Sequence, residues 1–277
     1  MQHKFIYLLL LIISLVIFFI INIANISKTN INNKTRYYYD YTENTLWNPI
    51  NHIQLINNDN NIIYLYWTGG YDSTYRLIEL MLLNKYIQPI YLLCPQLDSN
   101  YTFQRKNKNI EIKTMNKIRQ QLYLQFPTKK QYLLPTRYIY SLKLNKQIET
   151  DFIYITTKLF NFSRGITQYE RLTQYSYFHS QPIEIGLEKC GTGLDKLTSK
   201  YRIGQGHNRK VDLINSPKQY YVFKNIRFPI SHMTKQDMLL KCQQNKTDNI
   251  MKLTWSCWFP VNNNPCKKCD MCKHRII

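Results

Sequence analysis

A predicted strand, a glycine turn and a helix follow one another in the first third of the chain, and they restrict the fold most. Ile62 to Trp67 is a continuous apolar run, typical of a strand that is buried on both faces of a parallel sheet. The run is followed by Gly69-Gly70, and Ser73 to Leu83 then has the apolar spacing of a helix. A second buried strand is predicted from Ile90 to Cys94. This βαβ unit predicts an α/β fold with a Rossmann-like parallel sheet and flanking helices.

Further elements are predicted from shorter patterns. Ser231 is the expected N-cap of the last helix, because a hydroxyl there accepts a hydrogen bond from the first helical turn. A polar stretch with two glycines is expected to be a loop. The predicted helices are 104–125, 151–160, 167–178 and 233–244, the further strand is 183–186, and the loop is 192–220.

The turn after the first strand has the composition of a phosphate loop. Gly69 and Gly70 allow backbone N–H groups to point into one concavity, and the helix N-terminus adds unpaired donors. Asp72 is expected to hold the shape of the loop or a Mg²⁺ ion. An ordinary turn that caps a helix is the alternative.

The turn resembles the Ser-Gly-Gly-x-Asp-Ser signature of the PP-loop ATP pyrophosphatases, with Thr68 in place of the first serine. The predicted nucleotide-binding residues are Thr68, Gly69, Gly70, Tyr71, Asp72, Ser73 and Thr74, and the catalytic candidates are Asp72 and Ser73.

Four of the seven cysteines follow a C-x₈-C-x₂-C-x₂-C pattern near residue 270. Two overlapping C-x₂-C steps bring thiolates close enough for one tetrahedral Zn²⁺, and four thiolates leave no open position, so the predicted zinc is structural. Disulfides are the alternative and require an oxidising compartment. His274 could replace one ligand. The predicted zinc ligands are Cys257, Cys266, Cys269 and Cys272, whereas Cys94, Cys190 and Cys242 are interpreted as buried small hydrophobes.

Residues 5–23 are almost continuously apolar and predict a membrane anchor. A cleaved signal peptide is the alternative, but Ile21-Asn22-Ile23-Ala24 is a poor cleavage site. More cations follow the run, at Lys28, Lys34 and Arg36, than precede it, which predicts a single-pass protein with a cytosolic domain. The predicted division is a transmembrane helix at 1–24, a polar stalk at 25–59, a nucleotide-binding domain at 60–250 and a zinc knuckle at 251–277.

The formal net charge of +20 favours anionic partners. Clustered Lys and Arg would indicate nucleic acid, but here the basic residues are spread along the chain without a long run. A solvated basic surface is therefore preferred to a dedicated nucleic-acid face, and anionic small molecules such as ATP would also benefit from it.

The phosphate loop and the cysteine cluster together resemble 7-cyano-7-deazaguanine synthase, a PP-loop (HUP-type) family of queuosine biosynthesis. The resemblance includes Thr254-Trp255-Ser256-Cys257, the following cysteines up to Arg275, and Phe228-Pro229-Ile230 leading to Lys235. Gln104-Arg105 matches part of the family's Gln-Arg-His triplet, with Lys106 in place of His.

That resemblance implies an ATP-dependent carbon–nitrogen ligase that uses ATP, Mg²⁺ and structural Zn²⁺. In that family a substrate carboxylate attacks the α-phosphorus of ATP, pyrophosphate leaves, and ammonia displaces AMP. A second activation dehydrates the amide to a nitrile. The implied substrate is 7-carboxy-7-deazaguanine.

The middle of the chain departs from the family's pocket motifs. Ser163-Arg164-Gly165-Ile166 stands where Pro-Gly-Arg-Asn is expected, and Leu187 to Gly191 replaces a Gly-Tyr-Pro-Asp-Cys loop. Two alternatives therefore stay open: a PP-loop enzyme that modifies tRNA or DNA directly, and an inactive membrane-anchored module that binds nucleotide or a partner. Arg164 and Arg202 are candidate contacts for an anionic substrate, with an exposed arginine as the alternative for each.

Overall fold

The computed structural model describes residues 37–39, 62–93, 107–140, 142, 144–159, 167–179, 181–191 and 193–273. The predicted anchor at 5–23 lies outside these residues, as does the predicted stalk except for residues 37–39. Within the described ranges, no helix has the length and apolar character needed to cross a bilayer. The division into domains stays a prediction.

The described residues form eight strands, eight α-helices and several short helical turns. The strands are β1 Tyr37–Tyr39, β2 Ile62–Tyr66, β3 Tyr86–Leu92, β4 Arg137–Ile139, β5 Ile183–Ile185, β6 Arg202–Ile203, β7 Lys210–Val211 and β8 Ile226–Arg227. The helices are α1 Tyr71–Leu82, α2 Lys108–Gln125, α3 Lys146–Tyr154, α4 Thr167–Phe178, α5 Gly193–Thr198, α6 Lys235–Gln244, α7 Asp248–Met251 and α8 Asp270–Lys273. A π-helical segment, Ile155–Leu159, continues α3, and 3₁₀ turns lie at Pro127–Tyr132, Ser199–Tyr201, Gly206–Asn208 and Lys218–Phe223.

A six-stranded sheet in the order β1-β4-β3-β2-β5-β8 organises the fold. Five of its strands are parallel, and β1 pairs antiparallel with β4 at the edge. The chain leaves β2 towards β3 and β4 on one side, and later returns to place β5 and β8 on the other side. The carboxyl ends of β2 and β5 therefore form a topological switch point, where open α/β sheets bind their ligands.

Helices cover both faces of this sheet, as the predicted fold class requires. Alternate residues of β2 point to opposite faces. Leu65 and Trp67 belong to the core beneath α1, α2, α6 and α7. Tyr64 and Tyr66 belong to the second core, which contains residues of α3, α4 and the 3₁₀ turn Lys218–Phe223. The predicted parallel sheet with flanking helices is thus confirmed.

Three local predictions were wrong. Strand β3 begins at Tyr86 and not at Ile90; Pro89 lies inside it, and the ladder with β4 starts only at Ile90, after the proline. The segment 192–220 is not one loop, because it contains α5, β6 and β7. Its buried aliphatic residues, Leu194, Leu197 and Val211, are too widely spaced to show a period, whereas Ile203 and Ile214 are exposed.

The third correction concerns the N-cap of α6. Ser231 donates its hydroxyl to the Phe228 carbonyl and does not cap the helix. Thr234 is the N-cap: its hydroxyl accepts from the Asp237 backbone N–H, and the Asp237 carboxylate accepts from the Thr234 N–H. This reciprocal pair is a capping box with Asp in the place of the usual Glu or Gln.

Candidate functional site

The loop between β2 and α1 leaves the first turn of the helix open. The N-cap is Gly70, and no side chain caps the helix. The first intrahelical hydrogen bond runs from the Thr74 N–H to the Gly70 carbonyl, so the N–H groups of Tyr71, Asp72 and Ser73 precede it. These N–H groups point out of the helix at its positive dipole end, which makes this position suitable for an anion.

Two internal contacts fix the shape of this loop. Gly69 has a φ of +71°, which glycine adopts without strain. The Gly70 N–H donates to Thr68 Oγ1 over 3.3 Å, and Trp67 Nε1 donates to Thr74 Oγ1 over 3.0 Å. The buried Trp67 therefore holds the loop on the side that faces the core. On the opposite side no side chain caps the first turn of the helix.

Gly186 at the end of β5 provides the close approach that the switch point needs. A Cβ atom at this position would lie 2.5 Å from the Ser73 backbone nitrogen and 2.8 Å from the Asp72 carbonyl carbon. Both atoms belong to the helix backbone and cannot rotate away. The absence of a side chain at Gly186 thus lets the segment after β5 pass directly beside the first turn of α1.

Asp72 is the charged residue of the loop, and its surroundings disfavour its ionised form. Its Oδ1 is buried and has no hydrogen-bond partner in the described part of the chain. Burial, and secondly the negative charge of Glu188, raise the pKa of Asp72 to about 7, although Lys235 acts in the opposite direction. Glu188 belongs to the segment after β5, and its Oε1 lies 2.9 Å from Nζ of Lys235.

This arrangement fits a divalent cation. The orphaned Asp72 oxygen and the neighbouring Glu188 are hard carboxylate donors of the kind that Mg²⁺ prefers. A cation held there would also favour the ionised form of Asp72, which burial and the charge of Glu188 disfavour. Asp72 and Glu188 are therefore the residues that could hold the expected Mg²⁺.

The four predicted zinc ligands lie together in the structure. The Sγ atoms of Cys257, Cys266, Cys269 and Cys272 all lie within 4.8 Å of one another. Backbone N–H groups already point at the sulfurs: Cys266 N–H lies 3.2 Å from Cys257 Sγ, and Cys269 N–H lies 3.3 Å from Cys266 Sγ. N–H donors of Lys268 and Cys269 lower the pKa of Cys266 to about 6. The group fits a four-thiolate zinc knuckle.

The knuckle contacts the phosphate loop directly. The Trp255 N–H donates to the Gly69 carbonyl over 2.9 Å, and Trp255 Nε1 donates to the Cys257 carbonyl over 2.8 Å. Asn107 Nδ2 donates to the same Cys257 carbonyl and to Glu111 on α2. Two hydrogen bonds of Trp255 therefore connect the cysteine cluster to the loop that is expected to bind phosphate.

A buried ion-pair network lies beneath the switch point. Glu184, in the middle of β5, is fully buried and accepts two hydrogen bonds of 2.8 Å from Arg76 on α1. His207 Nδ1 lies 2.7 Å from the same carboxylate. These hydrogen bonds hold the pKa of Glu184 below its usual value in spite of its burial. The network therefore fixes α1 against β5.

Of the other residues singled out in the sequence, some lie where they were predicted, some do not, and some are outside the described part of the chain. Arg202 is not an exposed arginine, because its side chain is 4% exposed and pairs with Asp195. Cys242 is buried as predicted, whereas Cys190 is exposed, contrary to the prediction, because it lies in the loop after β5. Outside the described residues lie Cys94, Gln104, Arg105, Lys106, Ser163, Arg164, Gly165, Ile166, His274 and Arg275.

The sequence analysis missed Glu188, Asp195 and the pair of Arg76 with Glu184. One signal was available for Glu184, since a carboxylate within the buried strand Ile183–Ile185 requires a charged partner. No comparable signal pointed to Glu188, which lies in the loop after β5, or to Asp195, whose helix α5 has only six residues and shows no apolar period.

Comparison with known proteins gives one similarity. A family model described as queuosine biosynthesis protein QueC matches residues 211–276. This segment is about a quarter of the chain; it contains β8, α6, α7 and all four knuckle cysteines, but not the phosphate loop. No curated protein and no solved structure matches the chain. The C-terminal part is thus similar to QueC, and the parallel sheet is consistent with such a relationship.

Proposed function

We propose that this chain is an ATP-dependent enzyme of the PP-loop type that adenylates a substrate carboxylate and releases pyrophosphate. The observation that carries the proposal is the uncapped first turn of α1 at the switch point, joined by the Trp255–Gly69 hydrogen bond to a four-cysteine knuckle. The match of residues 211–276 to QueC supports the same function.

The proposed chemistry assigns a task to each part of the loop. A substrate carboxylate oxygen attacks the α-phosphorus of ATP, and the bond from that phosphorus to the bridging oxygen breaks. Pyrophosphate leaves with the electron pair of that bond and is stabilised by the N–H groups of Tyr71, Asp72 and Ser73. The Thr68 hydroxyl lies in the loop and can donate to the pyrophosphate oxygens, and the Ser73 hydroxyl, which donates to the Gly70 carbonyl over 3.3 Å, can do so after rotating away from that carbonyl. Asp72 and Glu188 would hold Mg²⁺, which neutralises charge on the leaving group when bound.

We propose 7-carboxy-7-deazaguanine and ammonia as the co-substrates. Ammonia would displace AMP from the acyl adenylate, and a second activation would dehydrate the amide to 7-cyano-7-deazaguanine. The support is the resemblance of the two motifs together with the QueC match. The full chain should be incubated with Mg-ATP, 7-carboxy-7-deazaguanine and ammonium, with pyrophosphate measured by a coupled assay and products by mass spectrometry.

The outcomes separate the alternatives. Release of pyrophosphate with a nitrile product, lost in Ser73→Ala, supports the synthase. A folded, ATP-binding protein that releases none with this substrate rules the substrate out. Release that then depends on added tRNA or DNA would favour direct modification, which the charge of +20 makes reasonable. Absence of release with any of these would leave the binding module.

The membrane anchor at 5–23, with the domain on the cytosolic side, is part of the same proposal. It rests on the apolar run and on the cations after it. Protease protection in sealed vesicles tests it, because a domain on the cytosolic side should be digested without detergent.

A further inference from the structure

A second cluster of charges lies beside the switch point, on the hairpin of β6 and β7. Arg202 pairs with Val211 in this hairpin, and Arg209 is two residues before Val211 in extended backbone. Side chains two residues apart on a strand share a face, so both arginines lie on the same side of the hairpin. Their guanidinium groups interact electrostatically with one another and with Asp195.

This cluster has more positive than negative charge. Arg202 is buried and pairs with Asp195, and its Nη1 lies 3.4 Å from the Ser231 carbonyl. Asp195 also accepts from the backbone N–H groups of Cys190 and Gly191, at 2.9 and 2.6 Å. The Asp195 carboxylate therefore binds Arg202 and the loop after β5. It neutralises the positive charge of Arg209 only in part.

Arg209 is the arginine of this cluster that has no ion-pair partner among the described residues. None of its nitrogens has a hydrogen-bond partner among the residues that the structure describes, and its Nε is buried. Its terminal nitrogens are not buried, so they are the part that solvent or a ligand can reach. Burial first, and then the charge of Arg202, lower the pKa of Arg209. A half-buried, unpaired guanidinium beside a second one is a costly arrangement unless an anion is bound there.

Arg209 lies at the same edge of the sheet as the phosphate loop. The Phe228 N–H donates to the Arg209 carbonyl over 2.8 Å, directly after β8. The segment 187–191 carries Glu188, which interacts with Asp72, and ends at the N–H groups that Asp195 holds. Both sites therefore contact the same short segment at the carboxyl edge of the sheet, where substrates of doubly wound folds bind.

We propose that Arg209, supported by Arg202, is the subsite that binds the carboxylate of the substrate before its adenylation. The inference rests on the proposed function, since it names the residues that receive the group to be activated. A planar guanidinium fork matches the two oxygens of a carboxylate, and the surrounding positive charge would hold the substrate ionised for attack on phosphorus.

Binding without turnover tests this inference. Calorimetry on the full chain would compare 7-carboxy-7-deazaguanine with 7-deazaguanine, which lacks the carboxylate, in the absence of ATP. Loss of one charge-assisted bidentate contact should reduce affinity for the acid about tenfold to a hundredfold in Arg209→Gln, without weakening the neutral compound. Arg209→Lys keeps the charge without the fork and should lie between. Lys210→Gln removes the same charge from the exposed neighbouring residue and should keep the native preference.

Each possible result either supports or overturns the assignment of Arg209 as the carboxylate subsite. Loss of the preference for the acid in Arg209→Gln, with ATP affinity unchanged and Lys210→Gln native-like, supports the subsite. A preference that survives in both Arg209 variants overturns it while leaving the adenylating enzyme intact. A native protein that binds ATP but does not prefer the acid overturns both the subsite and the proposed substrate. ATP affinity, read in every variant, separates these cases from loss of folding.

Discussion

The raised pKa of Asp72 predicts an unusual dependence of stability on pH. In the folded state Asp72 titrates near pH 7, compared with 3.8 for an ordinary aspartate. Between these values the folded protein holds a proton that the unfolded chain has lost, so ionisation of Asp72 lowers stability as pH rises through this window. At about 1.4 kcal/mol for each pH unit, the ionised form costs on the order of 4 kcal/mol at most at pH 8.

The Asp72→Asn variant should remove this cost. It is expected to be more stable than the native chain at pH 8 without Mg²⁺, and close to the native chain at pH 4. Urea denaturation at the two pH values measures the difference. Equal effects of the substitution at both pH values would refute the argument. Mg²⁺ should stabilise the native chain at pH 8 more than the variant, because the ion would bind the ionised carboxylate.

An exposed carboxylate provides the matched control. Asp237 accepts hydrogen bonds from the Thr234 backbone and hydroxyl, which hold its pKa below the usual value. Its ionised form therefore stabilises the fold above pH 4, and Asp237→Asn should destabilise the protein at pH 8. The two substitutions thus have opposite signs, although each removes one negative charge.

Three further substitutions test the site. Cys266→Ser should abolish zinc binding and weaken ATP binding roughly fivefold to tenfold in calorimetry, since the knuckle holds the phosphate loop by a hydrogen bond. Gly186→Ala should cost about 3 kcal/mol or more in urea denaturation, because its Cβ would meet the Ser73 nitrogen at 2.5 Å. Glu184→Gln should cost about 3 to 5 kcal/mol by the same measurement, since it removes the buried counter-ion of Arg76 and leaves that guanidinium paired only with the partly exposed Glu79.

Controls for these substitutions come from nearby residues. Gly191 has a φ of +68° but open space around it, so Gly191→Ala should cost only about 1 kcal/mol of backbone strain. Glu79 pairs with Arg76 at 2.6 Å but is partly exposed, so Glu79→Gln should change stability by less than about 1 kcal/mol. If Gly186 and Gly191 behaved alike, the close approach at the switch point would be contradicted. Zinc-free Cys266→Ser with native ATP affinity would contradict the coupling of knuckle and loop.

Local sequence was sufficient for the elements that are buried on both sides. The apolar run of β2 and the helix after Gly70 were predictable because a buried parallel strand has few polar residues. The cysteine spacing predicted that the four thiols lie together, since a C-x₂-C step fixes two of them in one turn.

Long-range contacts were not predictable in the same way. The parallel order of β5 beside β2 depends on the chain crossing the sheet after β4, and no local pattern records that crossing. The neighbourhood of Asp72 with Glu188 and Lys235 brings together residues from three separate segments. Arg202 was predicted as a candidate contact for an anionic substrate. Its burial against Asp195 was not predictable, because it depends on a hairpin of two-residue strands that is too short to show a period.

Oxygen transfer from the substrate tests the central claim most directly. The full chain should be incubated with Mg-ATP, ammonium and 7-carboxy-7-deazaguanine labelled with ¹⁸O in its carboxylate, and the nucleotide product analysed by mass spectrometry. Attack of the carboxylate on the α-phosphorus leaves one substrate oxygen on the phosphate, so the account predicts AMP that carries ¹⁸O. Formation of ADP and phosphate, or of AMP without the label, would contradict it.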